Sequence, residues 1–209
     1  YIFSNSSLNI VDAKDMSIIA ADVTFIFFYG YGLAITDSQN ISVYGLTFDS
    51  NPPNYAQGIV TSTTSPTSFI AEFDKNFIPP NTLVPPFNQP NNLKVSFYNP
   101  NTKQMLFTTN FLDSSSPNTA TKDVYNYTIT LKNQQKTGLA VGNLVTIIPR
   151  KGFTWHCNNC SNVHANQVTI FAGGNMGFLE TGGIGGNRYT NVTITKHSNN
   201  LVGLNADGF

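Results

Sequence analysis

Leu33-Ala-Ile-Thr-Asp-Ser-Gln-Asn-Ile-Ser-Val-Tyr-Gly-Leu-Thr-Phe48 is the stretch whose reading decides the fold. It ends in Leu46-Thr47-Phe48, and that ending recurs as Val23-Thr24-Phe25, Val168-Thr169-Ile170 and Val192-Thr193-Ile194. The first two copies begin 23 residues apart and the last two 24. A fixed period of this size marks stacked repeats, each a unit that buries its apolar face only against its neighbours. Each copy is short, alternating and β-branched or aromatic, which is the composition of a strand. No space remains between copies for a long amphipathic helix. The arrangement that fits is all-β: a right-handed parallel β-helix with one coil per repeat.

The polar half of the stretch supports this reading. Asp12-Ala-Lys-Asp15-Met-Ser-Ile18 and Asp37-Ser-Gln-Asn40-Ile-Ser-Val43 superpose with a shift of 25 residues. Asn162-Val163 holds the same place before Val168 that Asn40-Ile41 holds before Leu46. Asp and Asn suit a tight bend because their side chains bond nearby backbone and tolerate left-handed conformations. Stacked coils would set these side chains in a ladder.

The period breaks after Phe48, and composition changes with it. All 11 prolines lie between Pro52 and Pro149, and no glycine occurs from Ile59 to Thr137. Proline in that number is excluded from central strands. Residues 59–151 therefore read as an inserted β-rich module between solenoid parts 1–58 and 152–209. Its strand-like runs are Ser68–Phe73, Leu93–Tyr98, Met105–Thr109, Val124–Leu131 and Leu139–Ile148, separated by proline-rich turns. Short antiparallel strands at this spacing predict a small barrel or sandwich, closed by a hairpin with Gly142-Asn143 at its turn.

Charge and composition narrow the partners. The 209 residues are 40% hydrophobic and 11% charged, with 11 basic and 11 acidic side chains. The chain has enough apolar residues for a sizeable core. It has no basic excess that would suit a nucleic-acid partner. No apolar run is long enough for a membrane span. Neither end resembles the cap a solenoid needs, so the chain is expected to be a segment of a longer protein. Sequons at Asn5, Asn40, Asn126, Asn159 and Asn191 agree with a secreted glycoprotein. Asn40 falls at a bend and is expected to be too enclosed for a glycan.

Cys157-Asn-Asn-Cys160 admits three readings: a buried pair of small side chains, a local disulfide, or a zinc site with His156 and His164. Adjacent residues of a strand point to opposite faces, which works against the zinc site. No metal or other cofactor is assigned. The glycine-rich turns Gly173-Gly174-Asn175 and Gly182–Gly186 lack the helix and Lys-Ser/Thr of a phosphate loop and read as corners of coils.

Carboxylates are scarce, so their placement is informative. Counting one coil back from Glu180 reaches His156, and one coil forward reaches Asn205 or Asp207. Stacking would put Glu180 and Asp207 on the same outward face of adjacent coils. Neighbouring strands lie about 4.8 Å apart, so the two carboxyls would fall in the range used by glycoside hydrolases. Asp49 leaves a strand just before Asn51-Pro52-Pro53 and could face a groove or cap the turn. Trp155 and Tyr189 are candidates to stack on sugar rings. Asn187 and Arg188 lie across a glycine turn from Glu180, within reach of an acid or a sugar hydroxyl.

Asn205-Ala206-Asp207-Gly208 resembles the Asn-Thr-Asp-Gly segment of polygalacturonase-like hydrolases of the pectin-lyase-type β-helix, with Ala206 in place of Thr. The wider run is similar to the β-helical α-1,3-galactosidase family: Gly173-Gly-Asn-Met-Gly-Phe-Leu-Glu180, Asn187-Arg-Tyr189, then Asn205-Ala-Asp-Gly208. Leu46-Thr-Phe-Asp49, with Gln57-Gly58 before an inserted barrel, also looks like that family. The resemblance implies an inverting, metal-independent exo-hydrolase acting on terminal α-galactose, with further carboxylates in coils past Phe209.

The resulting expectation is a carbohydrate-active enzyme of the secretory pathway, extracellular or endomembrane/lysosomal, acting on an oligosaccharide or glycan. Asp207 and Glu180 are its catalytic candidates, and Asn205, Arg188, Asn187, Trp155 and Asp49 its substrate-binding ones. The rival from another class is a non-catalytic β-helix protein that binds glycans or serves adhesion.

Overall fold

A computed structural model of the chain describes residues 2–3, 7–28, 32–80, 93–109, 126–130, 139–149, 152–171 and 176–202. Among them all regular structure is β, and no helix is long and apolar enough to cross a membrane. Two compact units form, one from Tyr1–Pro53 with Lys151–Phe209 and the other from Asn54–Arg150.

The first unit contains β1 (Ile2–Phe3), β2 (Leu8–Val11), β3 (Lys14–Phe27), β4 (Leu33–Thr36) and β5 (Gln39–Ser50) before the second unit. The second holds β6 (Ala56–Ser65), β7 (Ser68–Phe73), β8 (Leu93–Tyr98), β9 (Met105–Thr109), β10 (Asn126–Thr130) and β11 (Leu144–Pro149). The first then resumes with β12 (Phe153–Asn158), β13 (Ser161–Asn166), β14 (Thr169–Ile170), β15 (Met176–Thr181), β16 (Arg188–Thr190) and β17 (Thr193–Ile194).

In the first unit every pairing among the described residues is parallel. β15-β12-β4-β2 make a four-stranded sheet, and β1-β3-β5-β13-β16, with β14 and β17 alongside, a seven-stranded one. Each repeat contributes a strand to the smaller sheet, turns through a polar bend, and then contributes to the larger. The four recurring triplets lie side by side: Thr24 is in register with Thr47, Thr47 with Thr169, and Thr169 with Thr193. Period-2 alternation buries one set of side chains from both sheets in one core that includes Leu33, Ile35, Ile41, Val43, Leu46, Phe48, Trp155, Cys157 and Val163. Partners across the sheets are 25 residues apart where the repeats are contiguous and 122 apart where the second unit intervenes. Asn54–Arg150 is 97 residues long, and taking 97 from 122 leaves 25, one ordinary repeat.

The bends carry the polar ladder that the spacing predicts. Asp12, Asp15, Asp37, Asn40, Asn159 and Asn162 all sit at φ between 50° and 56°, a region that Asp and Asn tolerate best among residues with a side chain. Asn40 Nδ2 donates to Asp15 Oδ1 (2.8 Å), Asn162 Nδ2 to Asn40 Oδ1 (3.1 Å), and Asn159 Nδ2 to Asp37 Oδ1 (2.6 Å). A further bend joins the same ladder system, with Asn191 Nδ2 donating to Asn166 Oδ1 (3.0 Å). Gly186 stacks over Asn162 at φ +79°, and a Cβ there would lie 2.0 Å from Asn162 Oδ1. The amide nitrogens of three sequons, Asn40, Asn159 and Asn191, are thereby engaged in the stack.

The second unit is one antiparallel sheet in the order β10-β7-β6-β11-β8-β9. β7 and β8 have two strands between them, which in a flat sheet would separate them by about 14 Å. Phe69 of β7 and Phe97 of β8 nevertheless meet with ring centroids 5.4 Å apart, so the sheet curls over its core. Register shifts between Val60 and Ser62, Thr63 and Ser65, and Phe97 and Tyr98 supply local bends.

Two sequence expectations change here. β6 begins at Ala56, so Gln57-Gly58 belongs to the antiparallel sheet and not to a repeat. Gly58 is required there because a Cβ would lie 2.3 Å from the Glu72 carbonyl oxygen of the neighbouring strand. The run Leu139–Ile148 is not one hairpin. Gly142, at φ +89°, turns the chain into β11, which inserts between β6 and β8. Of Val124–Leu131, the described part is β10.

Candidate functional site

In the four-stranded sheet, alternation sorts side chains into columns. Leu8, Leu33, Trp155 and Phe178 are in register and face the core; two residues on, Ile10, Ile35, Cys157 and Glu180 form the next such column. His156 pairs with Leu179, and Cys157 with Glu180. The expected pairing of Glu180 with His156 is thus off by one residue, and a one-residue slip moves a side chain to the opposite face. Glu180 does not stand on the outward face. It continues a column of buried side chains, at a point where its own side chain is exposed.

The chain then supplies partners from across the glycine turn. Tyr189 Oη donates to Glu180 Oε1, and Asn187 Nδ2 donates to the same oxygen at 3.1 Å. Asn187 Oδ1 in turn accepts from the Val163 backbone N–H (2.8 Å), which fixes the amide. The Tyr189 hydroxyl also lies 3.7 Å from Cys157 Sγ. Burial raises the Tyr189 phenol far above its ordinary range, and the hydrogen bond to Glu180 adds to this. Burial likewise pushes the Cys157 thiol up to about 11. Of the described residues, none hydrogen-bonds Glu180 Oε2, so the carboxylate is oriented through one oxygen and offers the other.

Arg188 is not part of this cluster. It lies between Asn187 and Tyr189 on β16, so alternation turns it to the opposite face, where it is exposed and in register with His164. Trp155 is also removed from the sugar-binding set. It is 0% exposed, packed against Phe48, Phe178 and Tyr189, and its Nε1 donates to Cys157 Sγ at 3.0 Å. Asp49 sits elsewhere in the unit. Its Oδ1 accepts from Ser50 N (2.8 Å), and its Oδ2 lies 2.9 Å from His197 Nε2, whose ring stacks on Phe171 at 4.5 Å. Asn205 and Asp207 lie outside the described residues, as does the turn at 173–175.

The two cysteines are buried free thiols. Cys160 Sγ donates to the Ile35 and Asn158 carbonyls (3.3 and 3.2 Å). His156, one residue from Cys157, faces the other way. Its Nε2 donates to Thr181 Oγ1 (2.8 Å), because that hydroxyl donates onward to Asn158 Oδ1 (2.9 Å). The described residues hold no group of three or more His, Cys, Asp and Glu arranged for a metal.

A second feature escaped the sequence reading. The outward face of the seven-stranded sheet holds a trough of about 510 Å³ whose lining includes Ser42, Tyr44, His164, Asn166, Arg188 and Thr190. Its signal was available in the aligned triplets Ser42-Val-Tyr44, His164-Ala-Asn166 and Arg188-Tyr-Thr190, each polar or aromatic at both outward positions. No protein-family model matches the chain, and no curated protein sequence matches it.

Proposed function

We propose that the parallel unit is part of a right-handed parallel β-helix, and that the protein is a secreted inverting glycoside hydrolase acting on α-galactosides or related glycans. The observation that carries the reading is Glu180. It is a carboxylate at the exposed continuation of a buried column, oriented through Oε1 by Tyr189 and Asn187, while no described residue hydrogen-bonds Oε2. Two fixed donors orient such a group to accept from a sugar hydroxyl or from a water. Inversion needs a second carboxyl about 6.5–9.5 Å away, and Asp207, with the Asn205-Ala-Asp-Gly segment, is the residue proposed for it. The sugar-positioning role comes to rest on Asn187 and Asn205.

A non-catalytic glycan-binding protein is the second reading. It is favoured by the two hydrogen bonds already spent on Glu180 Oε1, which suit a fixed acceptor as well as a catalytic base.

Both readings are tested together by incubating the protein, Glu180→Gln and Asp207→Asn with terminal α-galactosides, while following sugar release and its anomeric form and measuring binding separately. Release of β-galactose that both substitutions abolish, with binding retained, supports the hydrolase. Binding without release supports the second reading. Neither binding nor release of any α-galactoside overturns the hydrolase reading, and binding of no glycan, neutral or acidic, overturns the second.

A further inference from the structure

We infer that the outward face of the seven-stranded sheet binds an acidic saccharide, a sugar chain carrying a carboxylate or sulfate, in the trough between Tyr44 and Arg188. This site lies on a different sheet from Glu180 and does not depend on the hydrolase reading.

The argument starts from register. Ser42 pairs with His164, and His164 with Arg188; Tyr44 pairs with Asn166, and Asn166 with Thr190. The six outward side chains therefore form two straight rows of three. Strand spacing makes each row about 10 Å long, and two residues along a strand separate the rows by about 7 Å. That footprint fits about two sugar rings. One row runs from a hydroxyl through an imidazole to a guanidinium. The other begins with an aromatic ring that is 38% exposed and continues with an amide and a hydroxyl. Asn191 closes the trough beside Thr190 and is held to Asn166 (3.0 Å).

The chemistry of the lining selects the ligand. Among the described residues no carboxylate lines the trough, and Arg188 forms no salt bridge with any of them. A guanidinium with five donors in a planar fork matches a carboxylate or sulfate. Tyr44 offers a face to a sugar ring and an edge that can be solvated. Ser42, Asn166 and Thr190 add the neutral donors and acceptors that hydroxyls require. One arginine in a chain of zero net charge is too little for a polyanionic nucleic acid, whose affinity comes from many phosphate contacts.

The test is calorimetric titration of the protein with three oligosaccharides of equal length: a glucuronate-containing chain, a sulfated galactan fragment and a neutral galacto-oligosaccharide. At least one acidic chain is expected to bind, more weakly as salt rises, and the two acidic arms distinguish carboxylate from sulfate. Arg188→Gln should weaken that binding by ~10-fold or more, as expected for a charge-assisted hydrogen bond. Arg188→Lys should recover part of it and Tyr44→Ala should also weaken it. Glu180→Gln should bind the acidic chain as the parent does, which separates this trough from the Glu180 cluster. Because Arg188 and Tyr44 are exposed, unchanged circular dichroism will show that the variants fold. Equal affinity for the neutral chain, unchanged affinity in Arg188→Gln, or no binding of either acidic chain would overturn the proposal.

Discussion

The parallel and antiparallel units solve the same problem, pairing strands in one register, by different means. In the parallel unit the partner of each strand is a whole repeat away, and register is pinned at the bends by side chains that bond their counterparts in the next repeat. Asn162 bonds Asn40 across 122 residues of chain. In the antiparallel unit the turns are shaped by polar side chains that act within a few residues, while Thr130 Oγ1 donates to Ser68 Oγ (3.4 Å) between β10 and β7. Asn99 Oδ1 accepts from the backbone N–H of Asn101 and Thr102 (2.9 and 3.0 Å) and shapes one turn. Register there is set by turns, bulges and aromatic packing. The parallel design also yields straight rows of like-facing residues on the outside, which is where the Ser42–His164–Arg188 row comes from. An antiparallel sheet with bulges does not repeat a residue position in this way.

The most severe test of the contrast removes one large, fully buried aromatic side chain from each unit in turn. Trp155→Ala should destabilise the parallel unit by about 3–5 kcal/mol, and Phe97→Ala should do the same to the antiparallel unit. Both rings are 0% exposed and packed among other aromatics. Hydrogen exchange resolved by strand is the measurement. Trp155→Ala should lower protection in β4, β5, β12 and β13, and Phe97→Ala in β7, β8 and β11. A uniform loss across both sets from either substitution would show that the units do not differ in their cores.

How legible these features were follows from the same contrast. The parallel sheet could be read from Thr24, Thr47, Thr169 and Thr193 because a repeat states its pairing partners in sequence. The bend ladder was legible because Asp and Asn mark left-handed positions by chemistry. The antiparallel pairing of β11 between β6 and β8 was not, since nothing local in Leu144–Pro149 names strands tens of residues away. The site failed at a finer grain. Repeats here vary between 23 and 25 residues, and one residue decides whether Glu180 faces out or continues the Ile10–Ile35–Cys157 column. The same alternation divides Arg188 from Asn187 and Tyr189, although the three are consecutive in the chain.

A smaller effect is expected from pH. In the unfolded chain Cys157 ionises near 9.0, whereas burial in the parallel unit pushes it up to about 11. The unfolded chain therefore loses this proton first. The stabilising contribution is complete below pH 9 and declines as pH rises toward 11, by about 2–3 kcal/mol. Tyr189, whose phenol is raised by burial and by Glu180, acts in the same direction at higher pH. Urea unfolding at pH 8 and pH 11, followed in the parent and in Cys157→Ala, should show a steeper loss in the parent. Equal slopes would contradict a buried thiol.

Next in size is the ladder. Asn162→Ala should cost the parallel unit about 1–2 kcal/mol, by straining a position at φ 54° and removing the bond to Asn40. Asn162→Gly should recover the backbone share of that cost and not the hydrogen bond. Asn99→Ala should cost a comparable amount but leave protection in the neighbouring strands unchanged, since its bonds stay within one turn. If Asn162→Ala also leaves β5 and β13 unaltered, the ladder is not what holds the register.

The smallest effect should come from the largest change in sequence. The 122-residue interval between stacked positions shortens to 25 once the 97 residues of Asn54–Arg150 are taken out, the same spacing that joins Asp15 to Asn40. Each repeat buries its side chains against the preceding and following repeats, so β5 and β13 carry their pairing information in Ile41, Val43, Val163 and Ala165 and in the Asn40–Asn162 bond. Replacing Asn54–Arg150 by a short glycine-serine linker costs little in closure entropy, because that cost grows only logarithmically with length. The shortened protein should keep the hydrogen-exchange protection of β4, β5, β12 and β13 and a melting transition within a few degrees of the parent's. It should also keep the Cys157 and Cys160 thiols unreactive toward alkylation, since both are buried in the parallel unit's own core. Rapid alkylation, or loss of protection in β12 and β13, would mean that the stack depends on the antiparallel unit for its register and not on the repeat.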